Sequence, residues 1–251
     1  MTYCVAASVK AGLVFVSDSR TNAGVDQIST FSKLHAFCGN GERFFVLLSS
    51  GNLATTQAVV TRLRHDIRNA VPENMTTVQS MSAAAEYVGR VSVEQQSKHR
   101  TSKDQNYFAP EASFILGGQI AGTDPRLFLI YPEGNFVHAT RQTPFLQIGE
   151  IKYGKPILDR IITRDTSLET AARCAIVSID STMRSNATVG PPIEVLLYPV
   201  NTMRQGNYLR LEEDDDYLKA IRQAWAVNLR QAFDQLPRLA TSDANLRLVD
   251  G

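Results

Sequence analysis

Loss of the initiator methionine from this chain would expose Thr2, a residue that then carries a nucleophile and a base together. An α-amino group titrates at about pH 7.7–8.0, so near neutrality it is available to take the proton from the attacking hydroxyl. Threonine after methionine is common, and an ordinary start to a first strand is the plain alternative. Three features downstream give Thr2 a chemical context. Asp18 ends an apolar run and opens Asp18-Ser19-Arg20-Thr21, Lys33 follows, and Ser50-Gly51 closes a second apolar run. A buried Asp18 would hold Lys33 by a charge-assisted hydrogen bond, and a cation beside the threonine would favour the alkoxide and keep the amine unprotonated. Gly51 would let the main chain come close to a ligand and offer its N–H to a tetrahedral oxyanion. Taken singly, Asp18 also reads as a strand-end acid, Lys33 as a solvated lysine and Gly51 as a loop glycine.

The order Thr2, Asp18-Ser19-Arg20, Lys33, Ser50-Gly51-Asn52 resembles the N-terminal half of proteasome β-type subunits, which are N-terminal nucleophile (Ntn) hydrolases. The wording is closer still to the bacterial ancestral β-subunits (Anbu) in three stretches: Leu13 to Asp26, Ile28-Ser29-Thr30-Phe31 and Ser50-Gly51-Asn52-Leu53-Ala54. This resemblance implies that Thr2 is the nucleophile, that Asp18 and Lys33 support it and that Gly51 is the oxyanion glycine. It also implies an α+β fold, the four-layer αββα sandwich, and self-assembly of many copies in a ring or an open helical ring with the sites facing inward. The second half departs from the pattern. Gly149-Glu150-Ile151 puts Glu150 where β-subunits usually carry a supporting serine, and Asn186-Ala187-Thr188-Val189-Gly190 stands where they carry an aspartate and a serine before a glycine. Glu150 would be able to accept a hydrogen bond from the threonine amine and so change when it protonates.

Other chemistries lack their signatures. The chain has no G-x-S-x-G elbow, no H-E-x-x-H pair and no G-x-x-x-x-G-K-[ST] phosphate loop, and Gly39-Asn40-Gly41 lacks the third glycine of a dinucleotide fingerprint. His35, His65, His99 and His138 are scattered singly, so neither a metal nor an organic cofactor is expected. His35, two positions after Lys33, shares its strand face, where the family's substrate pocket is lined; with Thr21, Ser49 and Leu53 it forms the expected pocket. The acidic run Glu212 to Asp216 reads as a helix start, whose macrodipole carboxylates complement without an ion.

A formal charge of +1 and a pI near 7.7 leave no basic stripe for nucleic acid or an anionic membrane. No apolar stretch reaches the ~18 residues of a membrane span, and the N-terminus lacks a signal-peptide pattern, so a cytoplasmic protein is expected. Cys4, Cys38 and Cys174 have no C-x-x-C spacing and suit reduced, mostly buried thiols.

The elements that must position these residues can be read from pattern. Thr2 to Ser8 and Leu13 to Ser17 form a hairpin, and Lys33 to Cys38 with Arg43 to Ser49 a second one about Gly39-Asn40-Gly41. On this reading the strands bearing Thr2, Asp18 and Lys33 lie side by side in one sheet. Two helices follow, from Ser50 and from Ser80 to Gln96, then a polar loop from Ser97 to Pro110. Ala112 to Leu116, Leu127 to Tyr131 and Phe136 to Ala139 are expected in the second sheet, followed by helices over Lys155 to Arg164 and Leu168 to Met183 and a strand over Ile193 to Pro199. One domain, 1–251, accounts for the length, with a C-terminal helix at 212–236 as an appendage whose stripe of Leu218, Ile221, Trp225, Leu229 and Phe233 would dock on its own domain or on a neighbour. The expected activity is a threonine-type peptidase on a peptide or amide substrate. The alternatives are an amidase acting on a small molecule or modified peptide, and a self-assembling scaffold with little activity.

Overall fold

The computed structural model describes residues 2–22, 28–39, 41–99 and 109–239. Met1, the Asn40 of the expected turn, positions 23–26 of the resemblance and 100–108 of the polar loop lie outside the described residues. In chain order, β1 (Tyr3–Val9) and β2 (Gly12–Asp18) form a hairpin, β3 (Arg20–Asn22) and β4 (Ile28–Thr30) a short ribbon, and β5 (Leu34–Gly39) and β6 (Arg43–Gly51) a second hairpin. Helices α1 (Leu53–Arg68) and α2 (Met81–His99) come next, then β7 (Ala112–Ile120), β8 (Arg126–Ile130), β9 (Phe136–His138) and β10 (Phe145–Gly149). The chain continues through α3 (Lys155–Ile161), α4 (Leu168–Ser185), β11 (Ile193–Pro199), β12 (Tyr208–Leu211) and α5 (Asp216–Asp234).

Two five-stranded antiparallel sheets result, ordered β10-β1-β2-β11-β12 and β5-β6-β7-β8-β9. Every residue of β1 and β2 is buried, as expected of a strand covered on both faces. Their side chains alternate between two cores. Tyr3, Val5 and Ala7 point to a core shared with Leu158 of α3 and Ala175 and Ile179 of α4. Cys4, Ala6, Leu13 and Phe15 point the other way, onto Phe44, Leu48 and Ile115 of the second sheet. A third core joins that sheet's outer face to α1 and α2 through Phe45, Leu47, Val59, Leu63 and Val88. Three apolar seams between four layers make the αββα sandwich of the Ntn fold.

The structure corrects two expectations about strand placement. Lys33 does not share a sheet with Thr2 and Asp18: it precedes β5, in the opposite sheet, and reaches across the sandwich. The strands from Ala112 onward do not start a new sheet, because β7 pairs with β6 over its whole length, from Arg43 opposite Ile120 to Gly51 opposite Ala112. Local alternation and turn chemistry identify hairpins but not which hairpins share a sheet. The strands β10 and β12, absent from the sequence reading, lie at the sheet edges.

Asn52 caps α1 by accepting the Thr55 N–H at 3.1 Å, which sets the helix start directly after Gly51. At the other end of the chain, Asp215 caps α5 by accepting from the N–H groups of Tyr217 and Leu218, the role expected for the acidic run. The helix is anchored by buried Leu218, by Ile221 against the core, and by Arg222, which donates to Asp180 at 2.6 Å. Its second half leaves Val227, Leu229 and Phe233 exposed. Cys4 and Cys174 are buried and Cys38 exposed. No described helix is long and apolar enough to cross a membrane.

Spacing between the sheets depends on Gly117 of β7, where an added Cβ would fall 2.6 Å from the Phe15 ring and 2.4 Å from a Leu127 methyl. Gly117→Ala should therefore overpack the seam and lower unfolding stability by about 1–3 kcal/mol. In a denaturant titration Phe15→Leu should recover part of the loss; equal midpoints for wild type and Gly117→Ala would show that the seam yields freely.

Candidate active site

A single carboxylate oxygen joins the two sheets. Asp18 Oδ1, at the end of β2, accepts from Lys33 Nζ at 2.6 Å and from the main-chain N–H of Tyr3 at 2.9 Å, while Oδ2 accepts from the Gly190 N–H at 3.3 Å. Lys33 also donates to the carbonyl of Arg20 at 2.7 Å. Its own carbonyl accepts from Ser49 N–H at 3.0 Å, which ties it to β6. Asp18 is 0% and Lys33 6% exposed, so this is a buried ion pair. Burial pushes the Asp18 carboxyl above its ordinary value, and the Lys33 ammonium and the two N–H donors pull it back.

Thr2 lies one residue before the Tyr3 N–H that Asp18 holds, and its carbonyl accepts from Glu150 N–H at 2.7 Å. Gly149, at φ +84°, passes so close that a Cβ there would fall 2.0 Å from the Thr2 carbonyl oxygen. Gly51 ends β6 at φ +111°, and a Cβ would meet the Glu111 carbonyl at 2.3 Å. Only glycine fits either position.

Thr2, Lys33 and Gly51 line one cavity of about 880 Å³, and the expected pocket residues Thr21, His35, Ser49 and Leu53 line it with them. Asp18 sits behind its wall, one hydrogen bond away. All eight expected residues thus converge on one place. The Thr21 hydroxyl has no hydrogen-bond partner among the described residues. Burial, assisted by the charge of Arg64, lowers His35 to about 4, which leaves its imidazole neutral at neutral pH. Burial pushes the Cys4 thiol up, so it stays protonated behind the site.

The two departures in the second half touch each other. Asn186 Nδ2 approaches Glu150 Oε2 at 3.5 Å, and Glu150 Oε1 accepts from Lys152 N–H at 3.1 Å. In the described structure Glu150 meets Thr2 through its main chain. A second buried carboxylate, Glu194 of β11, accepts from Ser19, Ser32 and Tyr208 hydroxyls at 3.2, 3.0 and 2.7 Å, fastening the residues that flank Asp18 and Lys33.

The resemblance places Gly149 in the stretch that supports the nucleophile, and the structure adds what the sequence did not give, its contact with the Thr2 carbonyl. Sequence reasoning missed Gln57, Val60, Thr61 and Arg64, which line the cavity from α1. Counting onward from Leu53 by four, seven, eight and eleven finds them, since those intervals share one helix face.

A family profile described as Proteasome subunit matches residues 2–197. The chain belongs to the proteasome subunit family. Among solved structures, Anbu (ancestral beta-subunit) from Yersinia bercovieri is 46% identical, with 96% of this chain and 100% of that one covered and a TM-score of 0.89. The helical assembly of the Anbu complex from Pseudomonas aeruginosa is 46% identical over 97% and 100% of the two chains, at a TM-score of 0.90. Anbu from Hyphomicrobium sp. strain MC1 is 44% identical over 96% and 100%, at 0.87. A search of curated proteins finds no match. Family membership therefore rests on nearly the whole chain.

Removing one partner of the buried pair leaves the other uncompensated. Asp18→Asn should lower unfolding stability by about 3–5 kcal/mol, and adding Lys33→Met should recover much of it, since a neutral side chain replaces a stranded ammonium. Denaturant unfolding of both variants measures this; a wild-type midpoint for Asp18→Asn would show that the ion pair contributes nothing.

Proposed function

We propose that the chain is an N-terminal threonine hydrolase that cuts a peptide or other amide by acyl transfer once Met1 is removed. The observation that carries this reading is the shared Asp18 oxygen, which brings Lys33 to the residue next to Thr2. Thr2 Oγ attacks the amide carbonyl and its proton passes to the Thr2 amine. The Gly51 N–H stabilises the oxyanion. As the C–N bond breaks, the protonated amine returns the proton to the leaving nitrogen, and an ester to Thr2 remains. Water then attacks that ester, with the same amine as base, and releases the acid. Lys33 raises the local positive potential, which favours the free amine and the alkoxide over their protonated forms. Family membership supports the reaction class.

Intact mass should show the chain without Met1, and an electrophile that reacts with N-terminal threonine should add once, at Thr2. Thr2→Ala should abolish labelling and hydrolysis while the fold persists, because it removes one hydroxyl and one methyl at the cavity wall, and Thr2 belongs to none of the three apolar cores. Labelling of the alanine variant, or an active preparation that retains Met1, would move the chemistry elsewhere. A correctly processed chain that never labels would favour the scaffold reading.

We also propose self-assembly into a ring or open helical ring. The exposed apolar side chains on the second half of α5 and the helical assembly of the similar Pseudomonas aeruginosa protein support it. Light scattering at micromolar concentration should give a mass of many subunits, and a monomer would overturn the proposal. Cutting the chain before Asp216 should tell whether α5 contributes: assembly lost with the fold retained marks it as interface.

A further inference from the structure

We propose that the cavity takes an acidic side chain of the substrate, glutamate in preference to aspartate, and that Arg64 is the residue that selects it. This rests on the hydrolase reading for which bond is cut, but not for what the cavity binds. Among the described residues no Asp or Glu lines the cavity, whereas Lys33 and Arg64 do. The Lys33 charge is already met by Asp18 at 2.6 Å and its ammonium also serves the Arg20 carbonyl. Arg64 is different. Its side chain has no hydrogen-bond acceptor and no ion-pair partner among the described residues, while Arg62, two residues earlier on the same helix, is bound to Asp66 and Glu94 at 2.9 and 3.0 Å. Since His35 stays neutral at neutral pH, Arg64 supplies the one cationic group on the described cavity wall that no carboxylate offsets.

The rest of the wall suits a charged guest with an aliphatic stem. Val60 and Leu53 offer apolar surface, Thr61 stands one turn before the arginine, and Gln57 one turn further back adds a second polar donor to the same wall. The basic surface continues outward, because Arg64 also lines a shallower groove together with Arg68, one helical turn on. Length decides between the two acids. Arg64 lies eleven residues past Leu53, roughly 16 Å along the axis at 1.5 Å per residue. Its side chain leans back towards the helix start and so towards Gly51. Because Arg64 stands at the far end of the helix face from Gly51, the acid with the longer stem reaches further towards its guanidinium, whose planar fork can take both carboxylate oxygens.

Binding is measured on the assembled Thr2→Ala protein, which cannot turn substrate over, so the result does not depend on catalysis. The probes are acetylated, C-terminally amidated tripeptides ending in Glu, Asp, Gln, Leu or Lys, titrated by calorimetry. The glutamyl peptide should bind roughly three- to tenfold tighter than the glutaminyl one, with Asp between them and Lys weakest. Arg64→Gln in that background should bring the Glu to Gln ratio to about one, and Arg64→Glu should favour Lys. A ratio near one with Arg64 intact, a ratio that survives Arg64→Gln, or no binding of any peptide would overturn the proposal. Labelling of Thr2 in the otherwise wild-type chain is scored separately. A glutamyl preference with an unreactive Thr2 would sink the hydrolase reading and leave the acidic pocket standing.

Discussion

Asp18 Oδ1 has to satisfy a lysine from one sheet and a backbone N–H from the other while excluded from water. A buried carboxylate is tolerated only when its lone pairs are met, and the donors here are spread over Tyr3, Lys33 and Gly190. The oxygen is thus a geometric clamp. It fixes the start of β1, where Thr2 stands, relative to the loop before β5 that carries Lys33. The glycines at 51 and 149 mark close approaches within each sheet, Gly51 against Glu111 at the start of β7 and Gly149 against Thr2 at the start of β1, where no Cβ fits.

Around this clamp the chain places a second buried carboxylate. Glu194 is met by three hydroxyls rather than a cation, and those hydroxyls belong to Ser19, next to Asp18, to Ser32, next to Lys33, and to Tyr208 of the edge strand. A hydroxyl donates one proton and tolerates rotation, so this arrangement holds position without adding a further positive charge beside the lysine. The contact between Glu150 and Asn186 has a comparable logic. Two positions far apart in sequence differ together from the usual β-subunit pattern, and in space they are partners.

Much of this was legible in the chain. Apolar runs bounded by turn residues located β1, β2, β5, β6 and β11 to within a residue or two, because a strand covered on both faces carries its own hydrophobic signal. The site residues were legible through the resemblance, since taken singly Asp18, Lys33 and Gly51 read as a strand-end acid, a solvated lysine and a loop glycine, and only their order along the chain implied a common role. Sheet membership was not legible. The placement of Lys33 opposite Asp18 depends on β6 pairing with β7 rather than with the first hairpin, a choice made by whole-layer packing. The edge strand β12, with three of its four residues exposed, carries too little hydrophobic contrast to be seen. Arg64 was invisible as part of the cavity for another reason: a charged residue on a helix reads as solvated until a fold places it on a cavity wall.

The division of the cavity between two sheets also sets its timing. Thr2 and Asp18 come with the first hairpin, Lys33 and Gly51 with the second, and neither pair meets the other until Phe15, Phe44, Leu48 and Ile115 close the seam between the sheets. A chain with one layer formed holds half a site and no compensated lysine. If Thr2 is the nucleophile we propose, its reactivity is a late event in the life of the molecule, delayed until the sandwich is complete, and a half-folded copy is harmless to the unfolded copies being made beside it.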